Sequence, residues 1–154
     1  MAARILIADD HEIVIEGIRT LLARAGRNWE ICGEARNGTE AVAMTRELTP
    51  DVAILDVTMP GMSGLEAAAE ISRSNLGCKA LIFTMHESER LEVEVRKAGA
   101  HGYVLKSQAA RDLVRAIDAL LAGETFYGSS SQKGSSVKQA SRPEPIFCQA
   151  LAFC

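Results

Sequence analysis

DVAILDVTMPGMSGLE, residues 51–66, opens with an unbroken apolar run from Val52 to Leu55, closes it with the acid Asp56, and breaks it at Met59-Pro60-Gly61. Apolar residues without alternation describe a strand covered on both faces, because a strand with one face in water must alternate. Proline and glycine stop the strand, and the stretch from Leu65 to Ser74, entered through Gly64, has helical composition. The segment therefore predicts a buried strand, a turn and a covering helix, with a carboxylate at the strand tip.

Moving outward, the same unit recurs. Short β-rich runs stand at 4–8 (RILIA), 30–35 (EICGEA), 51–56, 79–84 (KALIFT) and 102–106 (GYVLK). Between them lie helical stretches. Val14, Ile18, Leu21, Leu22 and Ala25 form a stripe at spacings of three and four with Gly26 as its stop, and Leu113, Val114, Ile117, Leu120 and Leu121 repeat it with Gly123. A helix over 39–48 ends at Pro50. Residues 87–98 read locally as a strand, since Leu91, Val93 and Val95 alternate with Glu92 and Glu94. We assign a marginal helix there, because a right-handed crossover between buried parallel strands needs a covering element and Gly99 supplies a stop. Five alternating units predict an α/β fold: an open, doubly wound, five-stranded parallel sheet of order 2-1-3-4-5 with helices on both faces.

Composition narrows the function classes. The chain has 154 residues, 47% hydrophobic and 24% charged, enough for one domain and one core. No apolar run approaches the roughly 18 residues of a membrane span, so no membrane role and a cytoplasmic location are expected. Cys32, Cys78, Cys148 and Cys154 show no C-x-x-C spacing and are read as free thiols. The net charge of −3 gives no basic surface for a phosphate backbone, so direct DNA binding by this chain is not expected. Residues 129–154 carry Lys133, Lys138 and Arg142 against Glu144, six serines and no amphipathic period, and are expected to be a tail appended to a domain at 1–128.

In such a sheet, ligands sit beyond the carboxyl ends of the strands where strand order reverses. The tips carry Asp9 and Asp10, Asp56, Thr84 and Lys106. Strands one and three are neighbours in this order, so three carboxylates converge. Carboxylates about 5 Å apart repel by roughly 3 kcal/mol per pair at an effective dielectric near 20, so positive charge is required. Lys106 supplies part, and Mg²⁺, which takes oxygen ligands beside phosphoryl groups, is the expected remainder. Asp56, alone at its tip before an open turn, is the expected nucleophile toward phosphorus. Asp9 and Asp10 form the metal pair, Lys106 neutralises the equatorial oxygens, and Thr84 donates to the phosphate.

These motifs, ILIADDHEIVIEGIRTLL, DVAILDVTMPGMSGLE, LIFTMHES and KAGAHGYVLKS, together resemble a two-component response regulator receiver domain, CheY-like in fold and most similar to the LuxR/NarL type of transcriptional regulator. The resemblance runs from about Arg4 to Phe126. It implies a sensor histidine kinase that phosphorylates Asp56, with Mg²⁺ held by Asp10, by Asp56, by the backbone carbonyl of Thr58 and, through water, by Asp9. It implies further that Thr84 and Tyr103 switch the surface of the fourth helix, fifth strand and fifth helix, with a possible phosphorylation-dependent homodimer. Thr58 and His86 match positions that modulate hydrolysis of the aspartyl phosphate. Such a protein is a switch rather than an enzyme.

Two departures stand out. Ser107 follows Lys106 where many members have proline, and residues 129–154 show no helix-turn-helix pattern, so the output domain of the LuxR type is expected to be absent from this chain. Alternative readings are a stand-alone receiver or pseudo-receiver acting through protein contacts, or an aspartyl-nucleophile phosphatase. The phosphatase would want a D-x-D pair where this chain has Asp9-Asp10, and a cap segment that is missing. His11 with His86 as a zinc pair is set aside in favour of His11 as a helix-start residue, and His101 is read as a loop residue.

Overall fold

A computed structural model describes residues 2–127, and the tail expected at 129–154 lies outside the described residues. The chain alternates as β1 (Ala3–Ala8), α1 (Glu12–Arg24), β2 (Trp29–Ala35), α2 (Gly38–Leu48), β3 (Val52–Asp56), α3 (Gly64–Ser74), β4 (Lys79–Thr84), α4 (Leu91–Lys97), β5 (Gly102–Leu105), a 3-10 turn (Lys106–Gln108), α5 (Ala109–Leu121) and β6 (Phe126–Tyr127). All strand pairings are parallel, in the order β2-β1-β3-β4-β5-β6.

The unalternating apolar runs now have their reason. On one face Leu6, Ala53, Leu55, Ala80 and Ile82 pack under α2, α3 and α4 through Ala41, Val42, Ala67, Ile71, Leu91 and Val95. On the other, Ile5, Ile7, Val52, Ile54, Leu81 and Val104 pack under α1 and α5 through Ile15, Ile18, Leu113, Ile117 and Leu120. Successive strand residues point to opposite faces, so a strand buried on both sides must be apolar at every position.

The expected order holds, with one addition. β6 pairs parallel to β5 through Gly102↔Phe126 and Tyr103↔Tyr127. Gly102 permits the approach: a Cβ there would lie 2.1 Å from the carbonyl oxygen of Phe126. A two-residue strand has no period, which is why the sequence did not disclose it.

The marginal helix is shorter than expected, covering only Leu91–Lys97. Leu91 and Val95 face the sheet one turn apart, whereas Val93 is 53% exposed. Its end is supported by Arg96, whose Nε and Nη2 donate to Glu92 Oε2 at 3.0 and 2.8 Å, an i,i+4 pair worth a few tenths of a kcal/mol. Arg90, the residue before the helix, makes no side-chain cap bond, and the helix begins only at Leu91.

α3 determines how β3 presents its tip. Ser63 and Glu66 form a capping box, with Glu66 N–H donating to Ser63 Oγ at 3.2 Å and Ser63 N–H donating to Glu66 Oε1 at 2.9 Å. Gly64 lets the helix start against the strand, since a Cβ there would meet the Asp56 carbonyl oxygen at 2.1 Å. Among the described residues no helix is long and apolar enough to cross a membrane. Cys32 and Cys78 are free, as expected, and burial pushes the Cys78 thiol up to about 12; Cys148 and Cys154 lie outside the described residues.

Candidate functional site

β1 and β3 pair in register through Ala8↔Leu55, so the next residues, Asp9 and Asp56, stand side by side at adjacent tips. Asp9 is 0% and Asp56 1% exposed. Two carboxylates in that environment need compensation. Lys106, in the turn directly after β5, provides it: Nζ lies 2.9 Å from Asp9 Oδ2 and 3.2 Å from Asp56 Oδ1. The same ammonium stands 5.7 Å from the centre of the Phe83 ring. One lysine is thus divided between two acids that lie far from it in sequence.

The compensation is incomplete. Asp56 Oδ2 is buried and has no hydrogen-bond partner among the described residues. Burial, and then the negative charge of Asp9, raise the Asp56 carboxyl above its usual range, while Lys106 and the backbone N–H of Thr58 act in the opposite direction. A raised acid beside an orphan oxygen signals that the site wants another positive group.

Asp10 follows on the open side, its side chain 32% exposed. His11 caps α1 without a side-chain cap bond, and its backbone N–H donates to Asp9 Oδ1 at 2.8 Å. Its ring Nδ1 lies 3.2 Å from Asp9 Oδ1 and 3.1 Å from Asp10 Oδ1. One ligand atom each from Asp9, Asp10, His11 and Asp56 falls within 4.8 Å of the others. This acidic pocket can bind a metal ion, and the orphan Asp56 oxygen with hard carboxylate neighbours fits such an ion.

The strand-tip residues expected from the sequence do converge: Asp9, Asp10, Asp56 and Lys106 form one cluster. Thr84 ends β4, is 5% exposed, and its Oγ1 accepts the backbone N–H of His86 at 3.3 Å. Thr58 and His86 are exposed on the loops after β3 and β4. Tyr103 is buried, its ring centre 6.4 Å from that of Tyr127, and the Arg96 guanidinium lies 3.9 Å over Tyr127. All peptide bonds among the described residues are trans, including Lys106–Ser107.

His11 is the residue undervalued in the sequence. It is a helix-start residue as expected, but its ring also joins the carboxylates, whereas His86 is not part of that group. The signal was the direct succession Asp9-Asp10-His11 at a strand tip. His101, read as a loop residue, does precede β5; its Nδ1 accepts the Ala80 N–H at 3.3 Å, which holds the ring neutral, and burial with the nearby Lys79 lowers its basicity.

Residues 5–118 match the response regulator receiver domain family. The chain is 36% identical over 135 residues to the response regulator UvrY of Escherichia coli strain K12, covering 88% of this chain and 62% of UvrY. It is 37% identical over 123 residues to the response regulator GacA of Pseudomonas viridiflava, covering 80% and 57%. It thus spans about three-fifths of the length of these relatives. Among solved structures it is similar to a LuxR-family two-component response regulator from Aurantimonas sp. SI85-9A1, with a TM-score of 0.80, 39% identity, and coverage of 86% of this chain and 94% of that one. It is also similar to the isolated REC domain of RcsB from Salmonella enterica serovar Typhimurium, determined with the phosphomimetic BeF3-, at a TM-score of 0.76 and 29% identity, covering 86% and 98%.

Proposed function

This chain belongs to the response regulator receiver family, and from that premise we propose that Asp56 is the acceptor of a phosphoryl group delivered by a sensor histidine kinase. The observation that carries this is the buried, unpartnered Oδ2 of Asp56 beside Lys106 and the Asp9-Asp10 pair. In the transfer, Oδ2 attacks phosphorus, the P–N bond to the kinase imidazole breaks, and the departing ring keeps the electron pair and takes up a proton. Asp56 Oδ1 stays oriented by Lys106, 3.2 Å away, and the nearby Thr58 N–H favours the charged carboxylate. The Thr84 hydroxyl accepts from His86 N–H, so its own proton is available to donate to the incoming phosphoryl oxygens.

Asp10, Asp56 and the Thr58 carbonyl would hold Mg²⁺ directly, and Asp9 through water. That assignment is supported by the two Asp9 oxygens being already engaged, Oδ2 by Lys106 and Oδ1 by the His11 N–H, while an Asp56 oxygen is open. When bound, the ion supplies positive charge that offsets the phosphoryl oxygens.

Output is proposed to run through the α4–β5–α5 face. The contact line Tyr103–Tyr127–Arg96 joins β5 to α4, and α4 is the shortest helix of the described residues, so a change at Thr84 has a weakly held element to act on. Phosphorylation-dependent pairing of two copies, control of transcription through a DNA-binding partner domain, cytoplasmic placement, and modulation of dephosphorylation by the exposed Thr58 and His86 side chains complete the reading.

The test is incubation with acetyl phosphate and Mg²⁺ followed by intact mass measurement. A phosphate adduct is expected in the native chain and absent from Asp56→Asn; no adduct, or one that survives the substitution, overturns the reading.

A further inference from the structure

We propose that Phe83 is a positioning residue for Lys106: its ring is the surface over which the lysine stem crosses β4, and it holds the ammonium between Asp9 and Asp56. The inference rests on the reading of Lys106 as the group that orients Asp56, and it adds the residue that orients Lys106.

Strand alternation places the groups. Ile7, Ile54, Leu81 and Val104 all face α1 and α5. Two positions further along each of these strands stand Asp9, Asp56, Phe83 and Lys106, on the same face. Leu105 is still extended, at φ −78° and ψ 135°, so the alternation carries through to Lys106.

β4 lies between β5 and β3, and Phe83 is in register with both Val104 and Asp56. Neighbouring strands are about 4.8 Å apart, so a lysine rooted at the end of β5 spans about 10 Å to reach a carboxylate on β3. Lys106 makes that crossing, with Nζ 3.2 Å from Asp56 Oδ1 and 2.9 Å from Asp9 Oδ2. Phe83 is the last side chain of β4 on that face, so the stem passes over it, and the ammonium stands 5.7 Å over the ring centre.

The ring acts there in two ways. Though only 3% exposed, it lines a groove of about 530 Å³ between α1 and α5, together with Val14, Ile18, Lys106 and Ala109. It is thus part of the wall between the lysine and that groove, and a narrower side chain lets the stem settle into the groove, away from the acids. Its π face also attracts a cation within about 6 Å of the ring centre. An aliphatic side chain keeps the burial but has no such face.

The experiment compares the full chain with Phe83→Leu and Phe83→Tyr in three measurements. These are phosphate uptake from acetyl phosphate with Mg²⁺, Mg²⁺ affinity by calorimetry, and water exchange of the Lys106 ammonium protons by nitrogen-15 resonance. Phe83→Leu is expected to take up phosphate about tenfold more slowly and to exchange those protons about tenfold faster, while Phe83→Tyr stays within about twofold of the native chain in both. Phe83→Leu should bind Mg²⁺ at least as tightly as the native chain, because an ammonium that leaves the carboxylates no longer opposes the ion. A variant that merely loosened the core would bind it more weakly. Should Phe83→Leu not fold, Phe83→Met takes its place with the same expectations. If the native chain takes up phosphate but Phe83→Leu equals it in rate and proton exchange, Phe83 does not position Lys106 and this inference alone fails. It fails likewise if Phe83→Tyr falls as far as Phe83→Leu, or if Mg²⁺ binding weakens in step with the rate. If the native chain takes up no phosphate, the phosphoacceptor reading fails and the inference with it.

Discussion

The ammonium of Lys106 lies 2.9 Å from Oδ2 of Asp9, across 97 positions of sequence. This contact is shorter than the 3.2 Å from the same nitrogen to Asp56 Oδ1. Lys106 therefore serves Asp9 at least as much as Asp56, and it is part of the fold as much as of the site.

Removing that ammonium should destabilise the chain. Lys106→Met leaves two buried carboxylates without their cation, a change that costs about 3 kcal/mol in comparable settings. Urea unfolding should show the loss, and millimolar MgCl₂ should restore part of it, because an ion that binds only the folded state stabilises it by mass action. An unchanged midpoint would mean that Lys106 is not the counterion.

Asp56→Asn should do the opposite. The Asp56 carboxyl is raised by burial and then by Asp9. A carboxyl whose folded value exceeds its unfolded one favours folding while protonated, and that contribution is lost as pH rises from the unfolded value through the folded one. At neutral pH the charged group is therefore a liability, and the amide should raise stability by about 1 kcal/mol. Thermal unfolding at pH 7.5 without divalent ions checks the sign.

His101 gives a second pH dependence, of opposite direction. Burial and Lys79 lower its folded value, and Nδ1 must keep its lone pair to accept the Ala80 N–H. Its stabilising contribution is present above the ordinary histidine value of 6.5 and declines as pH falls below it, since the unfolded chain takes up the proton first. Comparing urea midpoints at pH 7.5 and 5.5, the native chain should lose more stability than His101→Gln.

The added strand can be tested at Gly102. A side chain there meets the Phe126 carbonyl at 2.1 Å, so Gly102→Ala should displace β6 and cost about 1–3 kcal/mol. Hydrogen exchange should quicken at the Phe126 amide, which donates to the His101 carbonyl at 3.1 Å. Protection equal to the native chain's would show that β6 accommodates the methyl.

Reading order along the chain sufficed for much of this. The runs ILIA, VAIL and ALIF are apolar at every position, which only a doubly covered parallel strand explains, and that places Asp9, Asp10, Asp56, Thr84 and Lys106 along one edge. Local pattern carries such information because burial on both faces leaves its mark at each residue. It says nothing of how charge is divided among groups that meet only after folding. That Lys106 is shared between Asp9 and Asp56, that one Asp56 oxygen is left without a partner, and that His11 turns its ring onto the carboxylates are facts of three-dimensional juxtaposition. The same holds for β6, held by its pairing with β5, and for the brevity of α4, where a two-residue period conflicts with a helical role that the neighbouring strands impose.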